Sequence, residues 1–168
     1  LTVSAASGGP SVFSAGTLVS AASGGTVDVY GGAINSGVMK AFALGDVFAA
    51  VAINGGTAGV TNAKTGLIEA AAISGINGSG LATIATGGAV ANSGTIEAIA
   101  ANGFGNDATA TISGGGVTNA GLMLASASND TNAYLQIYAS GGTISNAAGK
   151  TIQALAAANS YAELDIKA

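Results

Sequence analysis

Glu69 and Glu97 are the two residues whose type and spacing come closest to catalytic chemistry. Two carboxylates about 5 Å apart are the arrangement of retaining glycosidases. These two fall at equivalent positions of neighbouring repeats, so stacked repeats would bring them to roughly that distance. Lys40 occupies the same position one repeat earlier, and Leu124 and Gln153 occupy it in the repeats that follow. A solvated Lys-Glu-Glu column accounts for this set more simply than catalysis. The remaining acids do not converge. Asp28, Asp46, Asp107, Asp130 and Asp165 are scattered, and the four basic residues are all lysines.

Other candidates are weaker still. Gly103-Phe104-Gly105-Asn106-Asp107 approaches the Gly-Gly-x-Gly-x-Asp turn with which nonapeptide solenoids hold calcium, but it occurs once, and Ser128-Asn129-Asp130 stands in its place one repeat later. Polar corner loops are the expected reading, with no metal and no cofactor. Thr109, Thr111 and Ser113 form a short polar row like those of flat ice-binding faces. Its expected neighbours, Leu81 with Thr83 below and Leu135 with Ile137 above, do not extend it. Tyr30, Tyr134, Tyr138 and Tyr161, with Phe13, Phe42, Phe48 and Phe104, are expected to seal corners or pack outside the chain's coils, with contacts to glycans or another filament as the functional alternative. Neither His nor Cys is present, which removes the commonest general base, thiolate metal sites and disulfides.

The elements that carry these residues repeat. Gly87-Gly88-Ala89-Val90-Ala91-Asn92-Ser93-Gly94-Thr95-Ile96-Glu97-Ala98 recurs from Gly115 to Ala125, and again from Gly141 to Ala154 with two extra residues. An earlier copy, Val60 to Ala70, carries the same insertion, and a looser one runs from Gly31 to Ala41. The equivalent asparagines are Asn35, Asn62, Asn92, Asn119 and Asn146, spaced by 27, 30, 27 and 27 residues. Ser14 takes the Asn position in a first, shorter unit, 21 residues before Asn35. A row of asparagines invites a ligand-binding reading. Side chains that stack at a turn and bond from coil to coil explain it better, since every repeat needs the turn.

Within a repeat the periodicity is two. Met39, Ile68, Ile96, Met123 and Ile152 lead an inward ladder followed on each strand by alanines, such as Ala98 and Ala100 after Ile96. Further strands precede the Gly-Gly pairs, at Val27 to Tyr30, Val51 to Ile53, Leu81 to Ile84, Thr109 to Ile112 and Leu135 to Tyr138. A unit of 27 to 30 residues divides into three short strands. Gly-Gly pairs and Asn-x-Gly steps are expected to supply positive-φ corners.

The fold predicted is therefore all-β: a right-handed parallel β-helix, or β-solenoid, of about six coils with three short strands per coil. Residues 1–168 form one solenoid segment, with a shorter irregular coil over 1–30 and regular repeats over 31–168. Composition agrees. Charged residues make up only 7% of the chain and glycines number 28, so large core-filling side chains are scarce. A thick globular core would struggle against a backbone entropy cost of roughly 1–2 kcal/mol per residue. A narrow interior filled by Ala, Val and Ile suits the sequence better. The net charge of -4 gives no basic stripe for nucleic acid. The longest apolar stretch, Ala41 to Ile53, is broken by Gly45 and Asp46 and is too short to span a bilayer as a helix, so no membrane insertion is expected.

The Val3-Ser4-Ala5-Ala6-Ser7-Gly8-Gly9 and Val19-Ser20-Ala21-Ala22-Ser23-Gly24-Gly25-Thr26 segments resemble the repeats of AIDA-type autotransporter adhesins. The later Gly-Gly-x-Val-x-Asn-x-Gly-x-Ile-x-Ala units are similar to those of filamentous bacterial adhesins. The resemblance implies a secreted β-solenoid at the bacterial cell surface or outside the cell, non-enzymatic, acting as a stiff stalk or filament. Its partners would be neighbouring repeats or further copies of itself, end to end or side by side, and host or matrix glycans or proteins. The alternative is a polysaccharide-binding or polysaccharide-cleaving β-helix of the tailspike or lyase kind. The last segment, Tyr161 to Lys167, alternates polar and apolar residues like another strand, which reads as a slice of a longer array.

Overall fold

The structure is a computed structural model that describes residues 1–4, 12–22, 24–44, 48–73, 78–102, 107–129 and 131–168. Every regular element among them is a β-strand. The first three, β1 (Thr2–Ser4), β2 (Val12–Ser14) and β3 (Thr17–Ala22), begin the stack. The second coil is β4 (Thr26–Tyr30), β5 (Ala33–Asn35) and β6 (Val38–Leu44), and the third is β7 (Ala49–Gly56), β8 (Val60–Asn62) and β9 (Leu67–Ile73). Then come β10 (Gly80–Thr86), β11 (Ala89–Asn92) and β12 (Thr95–Ala101), followed by β13 (Asp107–Gly114), β14 (Gly116–Asn119) and β15 (Leu122–Ser128). The last full triplet is β16 (Asn132–Ala139), β17 (Ile144–Asn146) and β18 (Thr151–Ala157), after which β19 (Tyr161–Lys167) lies on β16.

Each strand pairs in parallel with the strand three places on, which sorts the chain into three sheets. Sheet A takes β1, β4, β7, β10, β13, β16 and β19; sheet B takes β2, β5, β8, β11, β14 and β17; sheet C takes β3, β6, β9, β12, β15 and β18. The expected all-β parallel solenoid with three strands per coil is the fold observed. The strands of sheet A are longer than the expected segments, as in β7 against Val51 to Ile53 and β13 against Thr109 to Ile112.

Alternation decides the interior. Along β12 and β15 every second residue is buried, and the same holds along β13 and β16. Sheet A sends in Val27, Val29, Val51, Ile53, Ile84, Ile112, Leu135 and Ile137; sheet B sends in Val60, Val90 and Val117; sheet C sends in its Met and Ile ladder with alanines behind it. Opposing large residues with alanine keeps the coil narrow enough to fill without voids. Burying each Ile, Leu or Met contributes about 1.5–3 kcal/mol, so the aliphatic columns supply most of the drive.

Gly-Gly pairs supply positive-φ corners as expected, while a second group of glycines is selected by close packing. Positive φ occurs at Gly24, Gly31 and Gly56, each in a Gly-Gly pair and the last also in the Asn54-Gly55-Gly56 step, and at Gly149. At Gly121 a Cβ would collide with the carbonyl oxygen of Gly94 in the coil below, and would lie 2.7 Å from the Ser93 carbonyl carbon. Gly37, Gly66 and Gly94 face the same obstruction, from the backbone of Gly16, Asn35 and Gly66. Close stacking of one corner on the next, not an unusual dihedral, selects glycine there. Positive φ at the corner after sheet C is carried by Asn102 (61°), Asn129 (64°), Ala158 (55°) and Asn159 (62°).

Candidate functional site

The five asparagines form one continuous row along the inner edge of sheet B, paired residue on residue from Asn35 to Asn146. Asn35 Nδ2 donates to Asn62 Oδ1 at 2.9 Å, and Asn62, Asn92 and Asn119 each donate to the next Oδ1 at 2.8 Å. Each amide also donates to a carbonyl at the start of a sheet C strand one coil on: Leu67, Thr95, Leu122 and Thr151, at 2.9–3.0 Å. Asn35, Asn62, Asn92 and Asn119 are at most 1% exposed, whereas Asn146, at the end of the stack, is exposed. Ser14 pairs with Asn35 and occupies the same column in the first coil. A row this buried, with its amides satisfied by protein, offers nothing to a ligand.

Met39, Ile68, Ile96 and Met123 are fully buried and stacked in register; Ile152 extends the same column and is half-buried, because no strand covers it in this structure. Among the terminal strands, Leu164 and Ile166 of β19 face the coil interior direction yet keep 45% and 46% exposure.

On the outer face of sheet C, Val19, Lys40, Glu69, Glu97, Leu124 and Gln153 stand in one register column. Lys40 Nζ lies 2.5 Å from Glu69 Oε1 and 5.4 Å from the centre of the Phe42 ring. The column is less solvated than the sequence suggests. Glu69 is 7% exposed, and Ala71, two residues along on the same face, is 1% exposed. Phe42 and Ile99 flank Ala71 on the neighbouring strands and stand taller than its methyl group. Burial holds the Glu97 carboxyl above the ordinary carboxylate range; the charge of Glu69 adds to the shift and that of Lys40 opposes it. Glu69 is thus ion-paired with Lys40, and Glu97 stands beside Glu69 with its pKa raised. They sit mid-strand on a sheet face, with Lys40 already committed to Glu69.

The Thr109–Thr111–Ser113 row lies on the outer face of sheet A. Below it stand Leu81, Thr83 and Ala85, as expected for the first two. Above it stand Tyr134, Gln136 and Tyr138, not Leu135 and Ile137, which are fully buried. A shift of one residue exchanges the two faces of a strand. The turn before β16 is shorter than the turn before β13, and the partner of Thr109 is Tyr134, 25 residues on, one place before the expected Leu135.

The upper end of sheet A gathers three of the tyrosines. Tyr134 and Tyr161 have ring centres 6.2 Å apart, inclined at 54°. Tyr138 donates its hydroxyl to Asp165 Oδ2 at 3.2 Å, and Lys167 Nζ lies 2.5 Å from the same oxygen and 5.6 Å from the Tyr138 ring centre. Lys167 and Tyr138, which both donate to it, hold the Asp165 carboxyl below its ordinary range. Tyr30, Phe48 and Tyr161 are about half or more exposed, so these aromatics do not seal corners.

Gly103 to Asn106, Asp46 and Asp130, which include most of the calcium-like turn, lie outside the described residues. Among the described residues no three Asp and Glu side chains gather to hold a metal ion, and no helix is long and apolar enough to cross a membrane. A second asparagine pair escaped the sequence reading: Asn129 Nδ2 donates to Asn102 Oδ1 at 2.8 Å across the corner after sheet C. The signal was available in their 27-residue spacing. No family model matches the chain, and neither the curated proteins nor the solved structures provide a match.

Proposed function

We propose that the chain is a non-enzymatic structural and adhesive module of a bacterial surface or extracellular protein, a segment of a stiff stalk or filament. The observation that carries this reading is the asparagine row. It ties five coils together through buried amide-to-amide bonds of 2.8–2.9 Å, alongside strand pairing on all three sides. A stack bonded in this way resists bending and shear because each coil is clamped to the next at an interior corner as well as along its strands. The bacterial surface setting rests on the resemblance of the glycine-paired segments to adhesin repeats.

The Glu69–Glu97 pair favours a second reading, a polysaccharide-cleaving β-helix, since two carboxyl groups on adjacent strands, one of them raised in pKa by burial, are groups such chemistry uses. The ion pair of Lys40 with Glu69 weighs against it. Incubation with polysaccharides, assayed for new reducing or unsaturated ends, decides between the two. The scaffold reading expects no turnover; turnover lost in Glu69→Gln or Glu97→Gln overturns it. Electron microscopy of the purified chain should show rods with a stacked length of about 30 Å, or multiples of it where copies join.

A further inference from the structure

The outer face of sheet A differs from those of its neighbours in carrying tyrosines, amides and hydroxyls in adjacent columns. One column runs Asp28, Ala52, Thr83, Thr111, Gln136 and Asp165; the column beside it runs Tyr30, Asn54, Ala85, Ser113, Tyr138 and Lys167. Tyr30, 49% exposed, stands at one end and Tyr138 four coils further on, about 19 Å away at the parallel strand spacing. Between them the methyl groups of Ala52 and Ala85 leave a depression of about 200 Å³, walled by Tyr30 and edged by Asn54 and Thr83.

We propose that this strip binds a linear, uncharged polysaccharide laid along the stacking axis. Sugar rings present C–H faces ringed by hydroxyls. An aromatic wall meets the first, and a few fixed amides and hydroxyls meet the second. The groups are held on strands bonded on both sides, so little ordering is lost when the ligand arrives. Charge selects against anionic glycans. Asp28 and Asp165 stand at the two ends of the strip, and Lys167 is engaged by Asp165. This inference deepens the adhesive half of the function proposed above.

The test is calorimetric titration of the 168-residue chain with cellohexaose, chitohexaose and polygalacturonate. Saturable binding of at least one of the two neutral hexasaccharides is expected, with polygalacturonate giving none. Tyr30→Ala and Tyr138→Ala should each weaken binding by about 3- to 10-fold, the range for losing one aromatic contact. Leu155→Ala, an exposed position on sheet C, should leave it unchanged, and far-UV circular dichroism should match for all variants. Absence of binding to both neutral hexasaccharides at millimolar concentration, equal losses in Leu155→Ala, or preference for polygalacturonate each overturn the proposal. Failure here is separable from failure of the scaffold reading, which is judged by rod shape and by polysaccharide turnover.

Discussion

Replacing Asn92 by Ala should be among the most damaging single changes available in sheet B. Asn92 Nδ2 donates to Asn119 Oδ1 at 2.8 Å and to Leu122 O at 2.9 Å, while its own Oδ1 accepts from Asn62 Nδ2 at 2.8 Å. Truncation removes all three bonds and leaves a gap at a site 1% exposed, with no route for water to replace the amide. Three buried bonds at about 0.5–1.5 kcal/mol each, plus the cost of partners left short, give a loss of about 3–5 kcal/mol. Asn146→Ala removes the same chemistry where solvent can compensate, since Asn146 is exposed, and should cost about 1 kcal/mol or less. Asn92→Asp adds a pH signature. Its carboxylate can accept from Asn62 but cannot donate to Asn119 or Leu122, so burial and two facing oxygens raise its pKa in the folded state. An acid whose folded pKa is raised destabilises above its unfolded pKa and recovers as pH falls through it. The measurement is urea denaturation followed by circular dichroism, at neutral pH and at about pH 3. Equal losses for Asn92→Ala and Asn146→Ala, or no acid recovery of Asn92→Asp relative to the native chain, would refute the idea that the row clamps the stack.

The remaining expectations concern glycine, register and charge. Gly121→Ala should cost several kcal/mol or prevent folding because its Cβ meets backbone of the coil below, whereas Gly141→Ala, with open space around the added methyl, should stay within about 0.5 kcal/mol of the native chain in the same denaturation assay. Tyr134→Lys should be tolerated while Leu135→Lys unfolds the adjoining coils, as read by hydrogen exchange; the opposite ranking would mean that β16 pairs one residue away from the register observed. Glu97 has a raised pKa when folded, so its ionisation opposes folding as pH rises above the ordinary value of 4.5. Glu97→Gln should therefore raise the thermal midpoint near neutral pH by about 1–2 °C, after allowing for partial solvent screening, and should leave it unchanged at about pH 3.

The coil architecture was legible because its signals are periodic. Asparagines at 27- and 30-residue intervals, and apolar residues at every second place, mark strands and corners independently, and both gave the same stack. The two-residue insertions after Asn62 and Asn146 did not mislead, since a corner can bulge outward without moving the strands on either side. Lys150 N donates to Ala147 O across one such bulge, and Gly66 N to Ala63 O across the other. What failed to show was whatever depends on distances between coils. Glycine is the same letter whether it serves a dihedral or a close approach, and only the stacked backbone separates the two. The burial of Ala71 on the outer face goes with Phe42 and Ile99 rising on either side of it, and Glu69 lies between Lys40 and Glu97, all neighbours that are distant in sequence. The misplacement of Leu135 and Ile137 has a simpler origin: the turn before β16 is shortened, and pairing Thr109 with Leu135 overshoots the observed partner by one residue, which exchanges the faces.

Why asparagine, and not an aliphatic residue, lines the inner corner follows from the backbone. Where sheet B turns into sheet C the chain changes direction, and the first carbonyls of each sheet C strand point toward the corner. An interior carbonyl without a donor would cost the full desolvation of the group. The Asn amide reaches it from the coil below, and the Asn oxygen accepts from the amide of the coil before, so one side chain carries both halves of a missing ladder rung. Asp lacks the donor, and an apolar residue lacks both. Ser can reach only locally, as Ser14 does, with its hydroxyl 3.4 Å from Gly16 O. Every amide-to-amide donation in the row runs in the same sense, from earlier coil to later. Such a row lengthens by one bonded step for each coil added. Its total stabilisation therefore grows with the number of coils instead of being concentrated at one place.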